Sequence, residues 1–391
     1  MINGLTMKYL TKSPRWILAV LTAGLFSCEE SKQETPRQDL RENTLVTILR
    51  DEHYTPEEFV DALGAPTMTA MFEEIAPELL PWAKGLLKLK VNSHLPALDR
   101  SFLNEVGTGP GGTRKWLLGL DDGESIETVL IPARDRKTVC VSTQVGCKMA
   151  CAFCASGKGG WVRNLGAGEI VAQVHHVAAL SGGRPNNVVF MGMGEPFDNY
   201  DAVLRAVRLL NHPDGLAIGA RKITLSTSGL VPGIRRLATE GLQVELSVSL
   251  HAPDPERRRR LMPVEGRWPM DELLAACREY TAATKRIVTF EYTLVRGFND
   301  SAADAAQLAA RLRGFPCRVN AIPLSPVAEF DGEAPSRETC HAFLDALLRH
   351  GIEGTLRESK GKGVSAACGQ LRRGAMRERT DPGGPAHPSR P

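Results

Sequence analysis

From residue 137 onward, strand-like and helix-like stretches alternate six times, and this alternation limits the fold more than any single motif. Strand patterns cover 137–142, 187–192, 222–228, 244–250, 287–294 and 318–324, each an apolar or β-branched run of strand length. Helical patterns separate them at 167–180, 200–210, from Pro232, and at 270–283, 301–313 and 336–350. Ile170, Val171, Val174 and Val177 fall on one face of the first of these helices. Pro232 stands at a favoured first-turn position. A short strand pattern at 354–358 follows the series. Strands joined in this way through helices run parallel with right-handed crossovers, so the expected fold class is α/β. Shorter strand patterns at 116–118 and 125–132 precede it.

A cysteine motif follows the first strand of the series. In CVSTQVGCKMACAFC, Cys147, Cys151 and Cys154 stand in a C-x3-C-x2-C spacing. Three thiolates closing on one small loop suit an iron–sulfur cluster, whose irons are normally held by four cysteines. Three ligands leave one iron of a 4Fe–4S cluster open to a small chelating molecule. Zinc would want a fourth ligand close by and a second hook of C-x2-4-C or H-x3-5-H type, and none follows. A zinc site or plain core thiols are the competing readings. Phe153 sits between the last two cysteines, and Gly157, Gly159 and Gly160 come after them.

Other motifs end at the strand termini. Gly192-Met193-Gly194-Glu195-Pro196 ends the second strand, where glycines let backbone approach a ligand and Glu195 can accept from an ammonium group. A plain turn is the alternative. Ser226 ends the third strand, Ser249-Leu250-His251 the fourth, and Asn320 lies within the sixth. Convergent hydroxyl, imidazole and amide groups suit a polar nucleoside ligand.

Taken in order, CVSTQVGCKMACAFCASG, RNLGAGEIVAQV, MGMGEP, LSTSGLVP, SVSLHAP, FEYTLVRGFND and AACGQL resemble one family over about 113–372. It is the RlmN/Cfr family of radical S-adenosylmethionine (SAM) adenosine methyltransferases. The resemblance implies a partial (βα)6 radical-SAM barrel with chemistry at the carboxyl ends of its strands. It implies a [4Fe–4S] cluster on Cys147, Cys151 and Cys154, with SAM as the second cofactor. Gly194, Glu195, Ser226, Ser249, Leu250, His251 and Asn320 match the family's SAM-binding positions. A small helical N-terminal accessory region is implied as well.

The same resemblance assigns Cys368 and Cys140 as the two catalytic cysteines and Glu127 as the proton acceptor. Cys368 would carry a methyl group taken from one SAM, and a radical made from a second SAM would activate it. The carbon would add to adenine, and Cys140 would release the product by attacking sulfur, leaving a Cys140–Cys368 disulfide. The implied product is adenine methylated at C2 in 23S rRNA, with tRNA as a second substrate. Before AACGQL the run 357–365 departs from the family: positions often acidic are Gly363 and Ser365. That leaves C8 as the alternative position, and a non-RNA substrate as the alternative class. Read without the resemblance, free cysteines are usually core thiols, the reading applied to Cys277, Cys317 and Cys340. An exposed strand glutamate is the plain reading of Glu127.

Composition sets the frame for these motifs. The 391 residues, 42% of them hydrophobic, suffice for one large domain and a smaller one. A net charge of +3 is too small to point to nucleic acid by itself, and the run Arg257–Arg260 reads as a solvated face. Nine irregularly spaced cysteines argue for metal or redox chemistry in a reducing compartment, hence the cytoplasm. Residues 8–28 contradict that. Lys8, Lys12 and Arg15 precede an apolar run that ends at Cys28, like an exported lipoprotein leader, and only a genuine leader would make a membrane partner. The expected division is a leader or linker at 1–50, a helical accessory region at 51–112, the core at 113–372 and a basic tail at 373–391. The expected partners are RNA and an electron donor such as flavodoxin or ferredoxin, with the chain a monomer.

Overall fold

Strand order makes the core of this molecule one continuous open sheet. The computed structural model describes residues 103–120, 122–133, 136–213, 216–357, 365–367 and 369–371. The leader-like stretch, the helical pattern at 55–90, Gly363, Cys368 and the basic tail lie outside the described residues.

The sheet's strands are β1 (Leu103–Thr108), β2 (Arg114–Gly119), β3 (Ser125–Ala133), β4 (Arg136–Cys140), β7 (Asn187–Phe190), β8 (Ile223–Thr227), β9 (Glu245–Ser249), β10 (Val288–Leu294), β11 (Cys317–Pro323) and β12 (Glu353–Leu356). Their spatial order is their sequence order. β1 to β4 pair antiparallel, and β4 through β12 pair parallel. Two short strands, β5 (Gln144–Gly146) and β6 (Trp161–Asn164), form a separate hairpin. The helices are α1 (Ala155–Lys158), α2 (Ala167–Leu180), α3 (Tyr200–Asn211), α4 (Val231–Leu237), α5 (Pro255–Leu261), α6 (Met270–Thr284), α7 (Ala302–Leu312) and α8 (Arg337–Arg349). This is a partial (βα)6 barrel, as the family resemblance implies, built on the parallel sheet that the alternation of patterns implies. β1 falls upstream of residue 113, where the core was expected to begin, and its bonds to β2 make it part of the same sheet.

Element ends follow local chemistry. Ser301 caps α7 by accepting the Asp304 N–H at 3.1 Å, and Asp304 returns the bond to the Ser301 N–H at 3.0 Å. Ser336 caps α8 through the Thr339 N–H. β7 stops at Phe190, two residues short of the expected end, because the Gly192 N–H turns back to the Val141 carbonyl at 3.0 Å. β9 stops at Ser249 because His251 takes a left-handed backbone, φ 57°.

The two faces of the parallel sheet differ. Val139, Val188, Phe190, Ile223, Leu225, Leu246, Val248, Val288, Phe290 and Val319 are all essentially sealed from solvent, within one core with α2, α3, α4, α6, α7 and α8. A parallel sheet normally reads as apolar on both faces. Here the other face is polar, and it holds the candidate site.

Candidate functional site

Register alone gathers most of the strand-borne candidates. Directly opposed partners share a face, and residues two apart on a strand do too. Lys115 opposes Val129, Val129 opposes Cys140, and Cys140 opposes Val189. Val189 opposes Thr224, so Ser226 lies on that face, opposite Ser247. Ser247 opposes Thr289, Ser249 opposes Glu291, and Glu291 opposes Asn320. Cys140, Glu127, Ser226, Ser249 and Asn320 therefore line one concave polar face. The structure adds Lys115, Ser247 and Glu291 to it.

The three spaced cysteines lie on a loop closed by the β5–β6 hairpin. Gly146 pairs with Trp161, and the Cys147 N–H donates to the Gly160 carbonyl at 3.0 Å. Gly146 has φ +78°, and a Cβ there would stand 1.9 Å from the Gly160 oxygen, so only glycine fits. The loop leans on α5, with the Ala152 N–H on the Leu261 carbonyl at 2.8 Å. Burial pushes the Cys147 thiol up to about 12, with Cys154 adding to the rise. Burial, then Cys154 and Cys147, push Cys151 up further. The three sulfurs therefore sense one another. Yet among the described residues no three Cys, His, Asp or Glu side chains converge as around a single ion. A zinc ion holds its thiolates at about 2.3 Å, bringing sulfurs within ~4 Å of each other. Three thiols on one loop suit a polynuclear cluster, which spreads its ligands over separate irons and compensates several thiolate charges at once.

At the ends of β7 and β8, Glu195 is buried and holds two backbone groups. It accepts the Phe197 N–H at 3.0 Å and the Ser228 N–H at 2.7 Å. Burial raises its carboxyl above the usual range, and those two bonds oppose the rise. Gly192 and Gly194 were expected to admit a ligand. What crowds them is protein: a Cβ would meet the Val141 oxygen at 2.6 Å, or the Gln144 Cβ at 2.6 Å. They let the Glu195 turn lie against the start of the cysteine loop.

His251 and Leu250 sit where β9 ends. Both backbone N–H groups reach the Glu291 carbonyl, at 3.3 and 3.0 Å. Leu250 is fully buried. His251 Nδ1 accepts the Thr293 N–H at 2.9 Å, which leaves the proton on Nε2. Burial, with Arg258 nearby, drops its pKa to about 3, so the ring is a neutral donor. Asn320 donates to Glu291 at 2.8 Å and accepts from Thr355 at 3.1 Å. Burial raises the Glu291 carboxyl, and Arg357 and Asn320 oppose it.

Arg258 corrects the reading of the arginine run as a solvated face. Its side chain is fully buried and paired with Glu265 at 2.5 Å. It donates to the carbonyls of Ser228 at 2.7 Å and Ser249 at 3.4 Å, tying the ends of β8 and β9. Gly229, φ +113°, leaves room for it, since a Cβ would lie 2.9 Å from Nη2. Arg258 Nε is buried without a hydrogen-bond partner among the described residues. Arg257 is also engaged, with Asp254 at 2.6 Å and Asp304 at 2.5 Å.

Lys115, Glu291 and Arg258 escaped the sequence reading. The signal for Glu291 is a lone charge inside an otherwise uncharged strand, whereas Lys115 follows Arg114 at the start of β2 and carries no such mark. Nothing in the run itself distinguishes Arg258 from its neighbours.

The catalytic candidates among the described residues, Cys140 and Glu127, lie on that polar face. Cys140 is buried on β4, and its carbonyl accepts from Thr128 at 2.8 Å. Glu127 is buried and paired with Lys115 at 2.7 Å. The residues flanking position 368 are held firmly: the Ala155 N–H donates to the Gly369 carbonyl at 2.7 Å, and the Ser156 hydroxyl to the Leu371 carbonyl at 2.8 Å. Gly369 has φ +80°, and a Cβ would stand 3.0 Å from the Phe153 carbonyl. Gln370 reaches the Pro326 carbonyl at 2.9 Å.

Residues 141–309 match the model of the Radical SAM superfamily. A probable dual-specificity RNA methyltransferase RlmN of Symbiobacterium thermophilum is 47% identical over 320 residues, 78% of this chain and 86% of that one. The chain belongs to the RlmN family of radical SAM RNA methyltransferases. Another such protein, from Moorella thermoacetica, is 50% identical over 280 residues, covering 69% of this chain and 78% of its own. A crystal structure of a radical SAM methyltransferase from Sphaerobacter thermophilus superposes with a TM-score of 0.69 at 43% identity, covering 80% of this chain and 99% of that one. The fold is that of radical SAM enzymes, and RlmN membership makes this chain a radical SAM RNA methyltransferase. Among the described residues no helix is long and apolar enough to cross a membrane.

Proposed function

We propose that this enzyme methylates C2 of an adenosine in 23S rRNA through a methyl group carried on Cys368. The observation that carries the reading is that Cys140 and Glu127 share one face of the sheet, while the chain on both sides of position 368 is tied to that sheet and to the cysteine loop. The dual specificity in the names of the similar proteins supports a second RNA substrate, which we assign to tRNA. We assign C2 rather than C8, a choice that the likeness to proteins named RlmN supports.

Cys147, Cys151 and Cys154 would hold a [4Fe–4S] cluster. Glu195, with Gly194, Ser226, Ser249, Leu250, His251 and Asn320, would hold SAM. When bound, these cofactors supply the radical chemistry that removes hydrogen from a methyl group. The chain's own residues do the rest. The Cys368 thiolate accepts the first methyl group. Once its carbon has joined adenine, the resulting radical gives up one electron, which the bound cluster would take back, and Glu127 takes the ring proton. The Cys140 thiolate then attacks the Cys368 sulfur: an S–S bond forms, and the S–CH2 bond breaks with its electron pair going to carbon. That carbon takes a proton and becomes the methyl group. Each turnover leaves a Cys140–Cys368 disulfide that two electrons from a thiol reductant reopen. A flavodoxin or ferredoxin in the cytoplasm is the proposed donor for the cluster, residues 51–112 the proposed RNA-holding region, and a monomer the proposed state.

Nucleoside analysis of RNA from cells with and without the gene tests this. 2-Methyladenosine should disappear with the gene. Loss of 8-methyladenosine, or no change in either, would contradict it.

A further inference from the structure

The tie before position 368 is made by Lys115, which has no catalytic role in the reading above. Its Nζ stands 2.7 Å from Glu127 Oε1 and 3.2 Å from the Ser365 carbonyl oxygen. Ser365 precedes Cys368 by three residues. Both side chains of the Lys115–Glu127 pair are about 95% buried, at 6% and 4% exposure.

We infer that Lys115 is a positioning residue that fixes the Cys368 segment against the face bearing Glu127 and Cys140. The inference rests on the proposed role of Cys368. Three features of the chain support it. The first is register. Lys115 opposes Val129, which opposes Cys140, and Glu127 lies two residues along β3 from Val129. The ammonium group thus reaches diagonally across the face to Glu127, within range of a long side chain. The second is backbone strain. Ser365 adopts φ +48°, a left-handed conformation that a non-glycine residue keeps only where its surroundings hold it. The third is the pattern of anchors. After Cys368 the segment is held by Ala155 and Ser156 of the cysteine loop, and before it by Lys115. A sulfur that must meet a cofactor, a base and then Cys140 needs both sides of its segment fixed.

A buried ion pair is weak support for stability, since apolar pairs of similar volume often replace it without loss. Lysine offers three donors from one point, so it can serve a carboxylate and a carbonyl together. Lys115 contacts the Glu127 carboxylate, and its effect on Cys368 goes through the segment it holds.

The test is hydrogen–deuterium exchange across 364–371 in the full chain as purified. Lys115→Met combined with Glu127→Gln removes both charges of the pair. Exchange in that segment should rise about tenfold or more, the equilibrium effect of one charge-assisted hydrogen bond, with the barrel strands unchanged. Glu127→Gln alone keeps the Lys115–Ser365 bond and should keep the protection, and Lys115→Arg should restore most of it. In reconstituted protein, the doubly substituted chain should methylate Cys368 about tenfold more slowly while retaining its iron. Unchanged exchange in the doubly substituted chain would overturn the inference, as would equal loss of protection in Glu127→Gln. If the Met variant does not fold, Lys115→Gln with Glu127→Gln preserves a neutral hydrogen-bonded pair and carries the same expectations. Absence of methyl on Cys368 in the unsubstituted enzyme would instead sink the carrier role, and the exchange result would still judge Lys115.

Discussion

The ring of Phe153 stands edge-on to that of His251, with 4.8 Å between centroids and 75° between planes. One residue lies between the last two spaced cysteines, the other at the end of β9. The contact therefore joins the proposed cluster loop to the proposed SAM end of the barrel. Edge-to-face aromatic pairs of this kind contribute about 0.5–1.5 kcal/mol beyond the area they bury.

His251 should make stability depend on acid. Its folded pKa, about 3, lies below the ordinary value of 6.5. The unfolded chain therefore binds the proton first, so this contribution is complete above pH 6.5 and is lost as pH falls toward 3. The loss should be on the order of a few kcal/mol. His251→Asn suits the left-handed backbone and lacks the titration. Urea melts across that range should show a steeper decline for the unsubstituted chain, and parallel declines would refute the linkage.

Removing one partner of the Arg258–Glu265 pair should be costly. Arg258→Met leaves a buried carboxylate unpaired and should destabilise by about 3–5 kcal/mol. Adding Glu265→Gln keeps an acceptor for the Met270 N–H, which Glu265 holds at 3.0 Å, and should recover much of that loss. Chemical denaturation of the single and double variants decides it. Equal stability of Arg258→Met and the original chain would contradict the pairing.

Much of the barrel was legible because helical and strand patterns differ in period, and the six helices expected from 167–180 onward lie within a residue or two of their places, whereas the short α5 had no expected counterpart. The β5–β6 hairpin was not. Strands of three and four residues are too short to show a period, and their pairing depends on closing the cysteine loop. The glycines of MGMGEP were legible as close approaches, but the neighbour they admit is the backbone and side chain of 141–144. Arg258 was hidden because a run of four arginines carries no sign of which one the helix turns inward.

Loop closure by glycine should matter to iron. Gly146→Ala would place Cβ against the Gly160 oxygen, opening the turn that starts the cysteine loop. Anaerobically reconstituted Gly146→Ala should hold clearly less than the roughly four irons expected per chain, with all three cysteines intact. Cys147, Cys151 and Cys154 replaced together by Ala should hold none. A triple variant with a full complement of iron would defeat the ligand assignment.

Cys140 offers the most direct measurement of the proposed chemistry. It lies buried on the same face as Glu127. If its thiolate resolves the adduct, Cys140→Ala should methylate Cys368 and join it to adenine, then stop. Denaturing electrophoresis of that variant from RNA-containing cells should show protein carrying covalently bound RNA, collapsed by ribonuclease to a protein bearing one nucleotide. A core thiol predicts something else, a packing loss of about 1 kcal/mol with normal turnover. RNA-free Cys140→Ala protein that turns over at the original rate would contradict the mechanism.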